Sequence, residues 1–121
     1  MGFVYVALGG ALGAAGRYAI SLIPIKTAFP LATLITNLLG AILIGFIAGL
    51  ASAGRSPSAN TVLFWKAGVC GGFTTFSTFS LEAFSLFEDR NILMGGIYIF
   101  LSVALCLCGI ACGKKLAMMA G

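Results

Sequence analysis

Four apolar runs, near residues 2–23, 31–53, 61–87 and 92–113, take up almost all of this 121-residue chain. Each is long enough to cross a bilayer, whose hydrocarbon core of about 30 Å needs about 20 residues of helix. Lipid offers no water to backbone N–H and C=O groups, so the runs are read as helices that satisfy their own hydrogen bonds. With 60% hydrophobic and 8% charged residues and a mean hydropathy of +1.12, residues 1–121 are expected to form one all-α integral membrane domain of four transmembrane helices. The start of the chain lacks a basic n-region and a small-residue cleavage site, so the first run is read as a retained helix, not a signal peptide.

The third run is written differently from the other three. Its stretch Gly68–Glu82, GVCGGFTTFSTFSLE, carries the glycine pair Gly71 and Gly72, then Thr74, Thr75, Ser77, Thr78 and Ser80 with phenylalanines between them. Adjacent glycines weaken a helix, and hydroxyl side chains can bond the carbonyls that a break would free. The third helix is therefore expected to break near its middle and to line a polar site. Phe76 and Phe79 are three apart and share a helix face, which Phe73 continues. Such a stripe packs or faces lipid, or else turns the positive edges of its rings toward an anion; both readings are open. Carbonyls freed near Gly71 to Thr74 could in turn hold a small cation.

The polar residues of the other runs fall into stripes. Gly9, Gly13 and Arg17 recur at steps of four in the first run, with Gly10 and Ala14 beside them, a face for close helix packing. Arg17 either snorkels beside the interfacial Tyr18 or makes an electropositive vestibule. Thr33, Asn37, Ala41, Gly45 and Gly49 form one stripe of the second run, where Asn37 either glues two helices by a hydrogen bond or donates to an anion. In the fourth run Tyr98, Ser102 and Cys106 recur at steps of four, with Gly109 and Gly113 prolonging the face. Ser102 either joins a polar row or bonds back to its own helix. The loop 52–60 is a polar turn, Asn60 or Thr61 is expected to cap the third helix, and Trp65 with Lys66 reads as an interfacial anchor. Lys114 and Lys115 are expected to end the fourth span.

Chemistry beyond binding has little to work with. There is no histidine, and Glu82, Glu88 and Asp89 are the only acidic residues, so hydrolytic, metal-dependent and general acid–base catalysis lack raw material and the chain is not expected to be an enzyme. Cys70, Cys106, Cys108 and Cys112 all fall within predicted spans, where thiols behave as small apolar groups. The +4 net charge belongs to loops and does not read as a nucleic-acid footprint. With four spans, Arg55, Lys66, Lys114 and Lys115 share one side, against Arg17, Lys26 and Arg90 on the other. Four against three is nearly no bias, so insertion in both orientations, and hence an antiparallel homodimer, is open beside a fixed orientation with a weak signal.

GGALGAAGRY in the first run, TNLLG around Asn37 and GGFTTFSTFSLE in the third together resemble the Fluc (CrcB) family of small fluoride channels of microorganisms, over nearly the whole chain. The resemblance implies a dual-topology homodimer of antiparallel subunits in the plasma membrane, embedded in lipid, with two fluoride pores and a structural sodium ion at the dimer centre. It implies that Gly71 and Thr74 offer backbone carbonyls to the sodium, that Phe76 and Phe79 line the fluoride path with Asn37 reaching toward it, that Tyr98 and Ser102 belong to a polar track, and that Arg17 sits near the vestibule. The departure is Cys106, a thiol where a hydroxyl would continue the track; Cys70 has no assigned role.

The expected job is passive export of cytoplasmic fluoride down its electrochemical gradient. A proton-coupled small multidrug exporter is the alternative, but it needs a membrane-embedded carboxylate, and Glu82 toward a helix end is the only candidate. A non-transporting packing subunit has little reason to interrupt its central helix.

Overall fold

The computed structural model describes residues 1–24, 27, 29–55 and 57–119, and all its elements are helical. Lys26, used above in the charge count, lies outside the described residues. In chain order the elements are α1 (Gly2–Ser21), α2 (Leu31–Ser52), α3 (Ala59–Val62), a π-helical segment (Leu63–Cys70), α4 (Gly71–Phe73), α5 (Ser77–Glu88) and α6 (Ile92–Met119). Three of them, α1, α2 and α6, are long and apolar enough to cross a membrane unaided. The remaining crossing, the third in chain order, is shared by the stretch 59–73 and α5. The chain is thus an all-helical, multi-pass membrane protein.

Two seams of small residues hold the helices together. Along the first, α1 runs parallel to the start of the third crossing: a Cβ on Gly9 or Gly13 would strike the Phe64 or Val69 carbonyl, and one on Gly72 would come within 2.5 Å of the Gly10 carbonyl. Backbones this close gain dispersion contacts and weak polar contacts that side chains would prevent, which matters in lipid, where apolar burial drives little. The second seam joins α2 and α6, also parallel. Gly45 lies against the Ile110 backbone and Gly49 against that of Lys114, while a Cβ on Gly113 would strike the Ile42 carbonyl. The glycines of the stripes expected from steps of four, Gly9, Gly13, Gly45, Gly49, Gly109 and Gly113, lie in these seams.

The lower half of the third crossing packs by side chains instead. Leu34, Ala83, Leu86 and Tyr98 form a buried cluster between α2, α5 and α6, to which Phe29, Phe79 and Met94 add. The Phe87 ring covers Gly95 at the α5–α6 hairpin. That hairpin turns through Arg90, held at a φ of 64°, with the Asn91 N–H on the Leu86 carbonyl at 2.8 Å. Gly54 makes the same left-handed turn after α2, at a φ of 73°, with the Arg55 N–H on the Leu50 carbonyl.

Several boundaries depart from expectation. The third helix does break near its middle, as expected, but just past the glycine pair: Gly71 is helical (φ −62°, ψ −38°), and the chain turns extended at Thr74 (φ −81°, ψ 156°). Packing of Gly72 against Gly10 holds the helix past the pair, while Gly71 faces open space. The π-helical turn before them was not foreseen. The cap of the third crossing is Ser58, whose hydroxyl accepts from the Thr61 N–H at 3.3 Å; Asn60 and Thr61 lie inside the helix. Past Gly113, α6 continues to Met119, and the Arg55 guanidinium ties its end to the α2 loop by donating to the Ala117 carbonyl at 2.8 Å. Gly113 is sealed against α2, so it cannot serve as a helix stop, and the long stems of Lys114 and Lys115 let them ride on a continuing helix.

Candidate functional site

The break between α4 and α5 is fixed by an amide. Asn37 Nδ2 donates to the Thr75 carbonyl at 3.1 Å, and Asn37 Oδ1 accepts from the Thr75 N–H at 2.8 Å. This pairing sets the orientation of the amide, because an N–H needs the oxygen and a carbonyl needs the nitrogen. Both ends of Asn37 thus close on one backbone unit of the third crossing, which makes it the interhelical clasp that was one of its two expected roles. One of its two amide hydrogens remains uncommitted, and the residue also faces a cavity.

That cavity is an open groove of about 330 Å³ between α2, the break and α6. Asn37, Phe76, Phe79, Ser102, Cys70 and Cys106 all line it, with Thr74 and Thr75 at the break. Phe76 and Phe79 lie with ring centroids 5.7 Å apart and planes at 44°, and Phe76 is 79% exposed on the single chain. Ser102 Oγ is buried and has no hydrogen-bond partner, so it is not bonded back to its own helix. An unpaired buried hydroxyl is costly unless something from outside the chain meets it.

Tyr98 stands apart from the groove. It is fully buried behind Phe79, with centroids 5.1 Å apart, and its hydroxyl donates to Glu82 Oε1 at 3.0 Å. The Phe29 ring meets it edge-on at 5.5 Å. The sequence presents Glu82 as a carboxylate toward a helix end and the one candidate for an exporter, whereas it reaches inward to this phenol.

Arg17 lines a second, smaller cavity of about 110 Å³ with Tyr18, Ser21, Thr33, Thr36 and Thr78. Its Nε donates to the Gly72 carbonyl at 3.2 Å, so the guanidinium is anchored to α4 and does not simply snorkel. Thr75 belongs to both cavities and separates them.

The hydrogen bonds around the break are redirected in a regular way. In an unbroken helix the Thr75 and Thr78 N–H groups would serve the Gly71 and Thr74 carbonyls. Here the first goes to Asn37 Oδ1 and the second to Thr75 Oγ1, at 3.2 Å. Thr74 remains tied to the helix before it, with its N–H and its hydroxyl both on the Cys70 carbonyl at 3.0 and 2.7 Å. Gly71 is exposed, and a Cβ there would meet nothing within 4 Å. Among the described residues no three His, Cys, Asp or Glu side chains group to hold a metal ion, so a cation at this place would have to use backbone oxygens.

Thr75 is the site residue that the sequence leaves without a role. The signal was its place as the second of two adjacent threonines just after the glycine pair, but which of the five hydroxyls in that stretch captures a backbone N–H of the break is decided by the break itself.

Residues 4–114 match the family described as CrcB-like protein, Camphor Resistance (CrcB). The chain is similar to proteins named fluoride-specific ion channel FluC. The one from Ruminiclostridium cellulolyticum is 46% identical over 117 residues, 94% of this chain and 90% of its own length. Those of Clostridium perfringens and Hahella chejuensis are 45% and 43% identical, covering 93% and 96% of this chain and 90% and 94% of the relatives.

Proposed function

The chain belongs to the CrcB-like family, and from that premise we propose that it is a fluoride-selective channel whose conducting path is the groove at the break. The observation that carries this reading is the unpartnered, buried hydroxyl of Ser102 in a groove that also holds the Asn37 amide and two phenylalanine rings. Fluoride is small and strongly hydrated, so a dry path must give back what its water supplied. Ser102 Oγ and the uncommitted Asn37 N–H donate to the ion, and the rings of Phe76 and Phe79 turn their weakly positive edges to it. A larger, softer halide gains less from such close contacts, which gives selectivity without a full positive charge in the path. Tyr98, engaged by Glu82, extends the polar track behind Phe79. Arg17 raises the local anion concentration at the mouth of the second cavity.

No energy coupling is needed. Fluoride that enters as the neutral acid is trapped as anion in a less acidic cytoplasm, and an inside-negative potential, at about 2.3 kcal/mol per charge per 100 mV, drives it out across the plasma membrane. The working unit is an antiparallel homodimer with one groove per copy, hence two pores. The near-even loop charges and the exposure of Phe76 and Gly71 on the single chain support it. A sodium ion at the dimer centre would be held by the Gly71 and Thr74 carbonyls of both copies. Their oxygens suit a hard monovalent cation, and their helical donors are engaged elsewhere. The ion supplies fixed positive charge that ties the two breaks together.

A proton-coupled exporter would need a carboxylate open to its substrate, and Glu82 accepts from Tyr98 instead. The test is ion efflux from liposomes holding the purified protein, with a fluoride electrode outside, a potassium ionophore to clamp the voltage and chloride as the control. Fast fluoride release without chloride release is expected. Absence of release from well-folded protein overturns the reading.

A further inference from the structure

We propose that Thr75 and Asn37 are the positioning residues of the cation site, acting by drawing two backbone donors away from the two carbonyls that would face the ion. The inference rests on the sodium reading above. It starts from a count of where each carbonyl in the break finds a donor. The Cys70 carbonyl accepts from the Thr74 N–H and hydroxyl, the Gly72 carbonyl from Arg17, and the Thr75 carbonyl from Asn37 Nδ2. The Phe76 carbonyl accepts from the N–H and the hydroxyl of Ser80, both at 2.9 Å. Gly71, Phe73 and Thr74 are left, and of these Gly71 and Thr74 lose their helical donors through the same residue. The backbone N–H of Thr75 goes to Asn37 Oδ1, and the side chain of Thr75 captures the N–H of Thr78.

The two diversions have a common consequence. A carbonyl that already accepts an in-line N–H has one lone pair and part of its dipole committed, whereas one without a donor presents its full field to a cation. A bare carbonyl at membrane depth would be a cost to the single chain, and that cost is offset when the ion arrives. The Asn37 clasp also stops the Thr75 peptide from swinging back into helical register, because its second hydrogen bond holds the carbonyl of the same residue. Asn37 therefore has two separable jobs. One amide hydrogen and the amide oxygen organise the break, and the other amide hydrogen faces the groove.

The separation gives the experiment. The full chain, purified in detergent, is unfolded by heat while sodium chloride is titrated against N-methylglucamine chloride at constant ionic strength. The half-saturating sodium concentration is read for the wild type, Thr75→Ser, Thr75→Val, Asn37→Ala and Ser80→Ala. In the wild type the midpoint should rise saturably with sodium. Thr75→Val and Asn37→Ala should each raise the half-saturating concentration by about tenfold or more, the scale of one contact to a charged group. Thr75→Ser keeps the capturing hydroxyl and should stay within about twofold, as should Ser80→Ala, whose hydroxyl diverts nothing from the two carbonyls. A role in general stability alone would lower the midpoint equally in both salts and leave half-saturation unmoved. Saturable sodium dependence in the wild type with unshifted values in both Thr75→Val and Asn37→Ala overturns this inference and leaves the sodium reading intact. No sodium-specific rise in the wild type overturns the sodium reading itself.

Discussion

The two halves of the third crossing are built on opposite principles. Residues 59–73 press backbone to backbone on α1, with Gly9, Gly13, Gly68 and Gly72 at the contacts. In α5, packing is by side chains, with Ala83 and Leu86 in a cluster with Tyr98 and Phe87 laid over Gly95. The break falls where the helix changes from one partner and one kind of contact to the other. A straight helix cannot lie along α1 by its bare backbone and then reach the α6 side by large side chains, so the interruption at Thr74 lets each half keep its own neighbour. The groove opens in the angle between them, and Asn37 spans it.

Substitutions can break this contrast or sharpen it. The largest effect is expected for Gly13→Val, where the first added carbon already meets the Val69 carbonyl and the Phe73 N lies 2.8 Å from it. The backbone cannot yield, so the cost should exceed about 3 kcal/mol and no monodisperse protein should be recovered on gel filtration. A well-folded Gly13→Val protein would refute the close seam. Next comes Phe76→Ile, at an exposed ring that contributes little to the fold of the single chain. Fluoride flux should fall by about tenfold or more, as one favourable ring contact is lost, with the elution volume of the protein unchanged. Undiminished flux would return the ring to packing. Asn37→Asp should reduce flux as well, by placing an anionic acceptor where a donor is needed, and an active Asp variant would count against that role.

Gly95→Ala sharpens the contrast from the other half. The added carbon would meet Phe87 Cε1 at 2.8 Å, a clash less close than that at Gly13 and with the end of a side chain that can turn away. Its cost should stay near about 1 kcal/mol, read as a small drop in the thermal midpoint, and a loss as severe as that of Gly13→Val would erase the distinction between the halves. The smallest effect is expected at Arg90, the non-glycine residue held at positive φ. Arg90→Gly should raise stability by about 0.5–1 kcal/mol, since the left-handed turn strains a side chain and costs glycine little. A fall in the midpoint would mean that Arg90 makes a stabilising contact outside the turn.

The spans were legible in the sequence because hydropathy over about 20 residues needs no knowledge of neighbours. So were the packing stripes, since steps of four put Gly9 with Gly13 and Gly45 with Gly49 on one helix side wherever the helix comes to rest. A break near the middle of the third helix was legible too, but its exact residue was not, because the weakness of Gly71 and Gly72 is a local property and the contact of Gly72 with Gly10 is not. The same limit hid the π-helical turn, the inward reach of Glu82 to Tyr98 and the part played by Thr75, all of which depend on what stands opposite. Asn37, Phe76, Phe79 and Ser102 were singled out by residue type, and the groove brings those four together; Tyr98 and Arg17 lie outside it, one in the core and one at the second cavity.

The claim that fluoride passes through this groove can be tested at Cys106, a native thiol on its wall, with Cys108 on the exposed side of the same helix as the control. Two proteins are made, each keeping one of these cysteines with the other three replaced by serine or alanine, and each is reconstituted into liposomes and treated with methyl methanethiosulfonate. The account predicts that labelling Cys106 cuts fluoride efflux sharply while labelling Cys108 leaves it unchanged. Full labelling of Cys106, verified by mass spectrometry, with efflux undiminished would contradict it and move the path out of the groove.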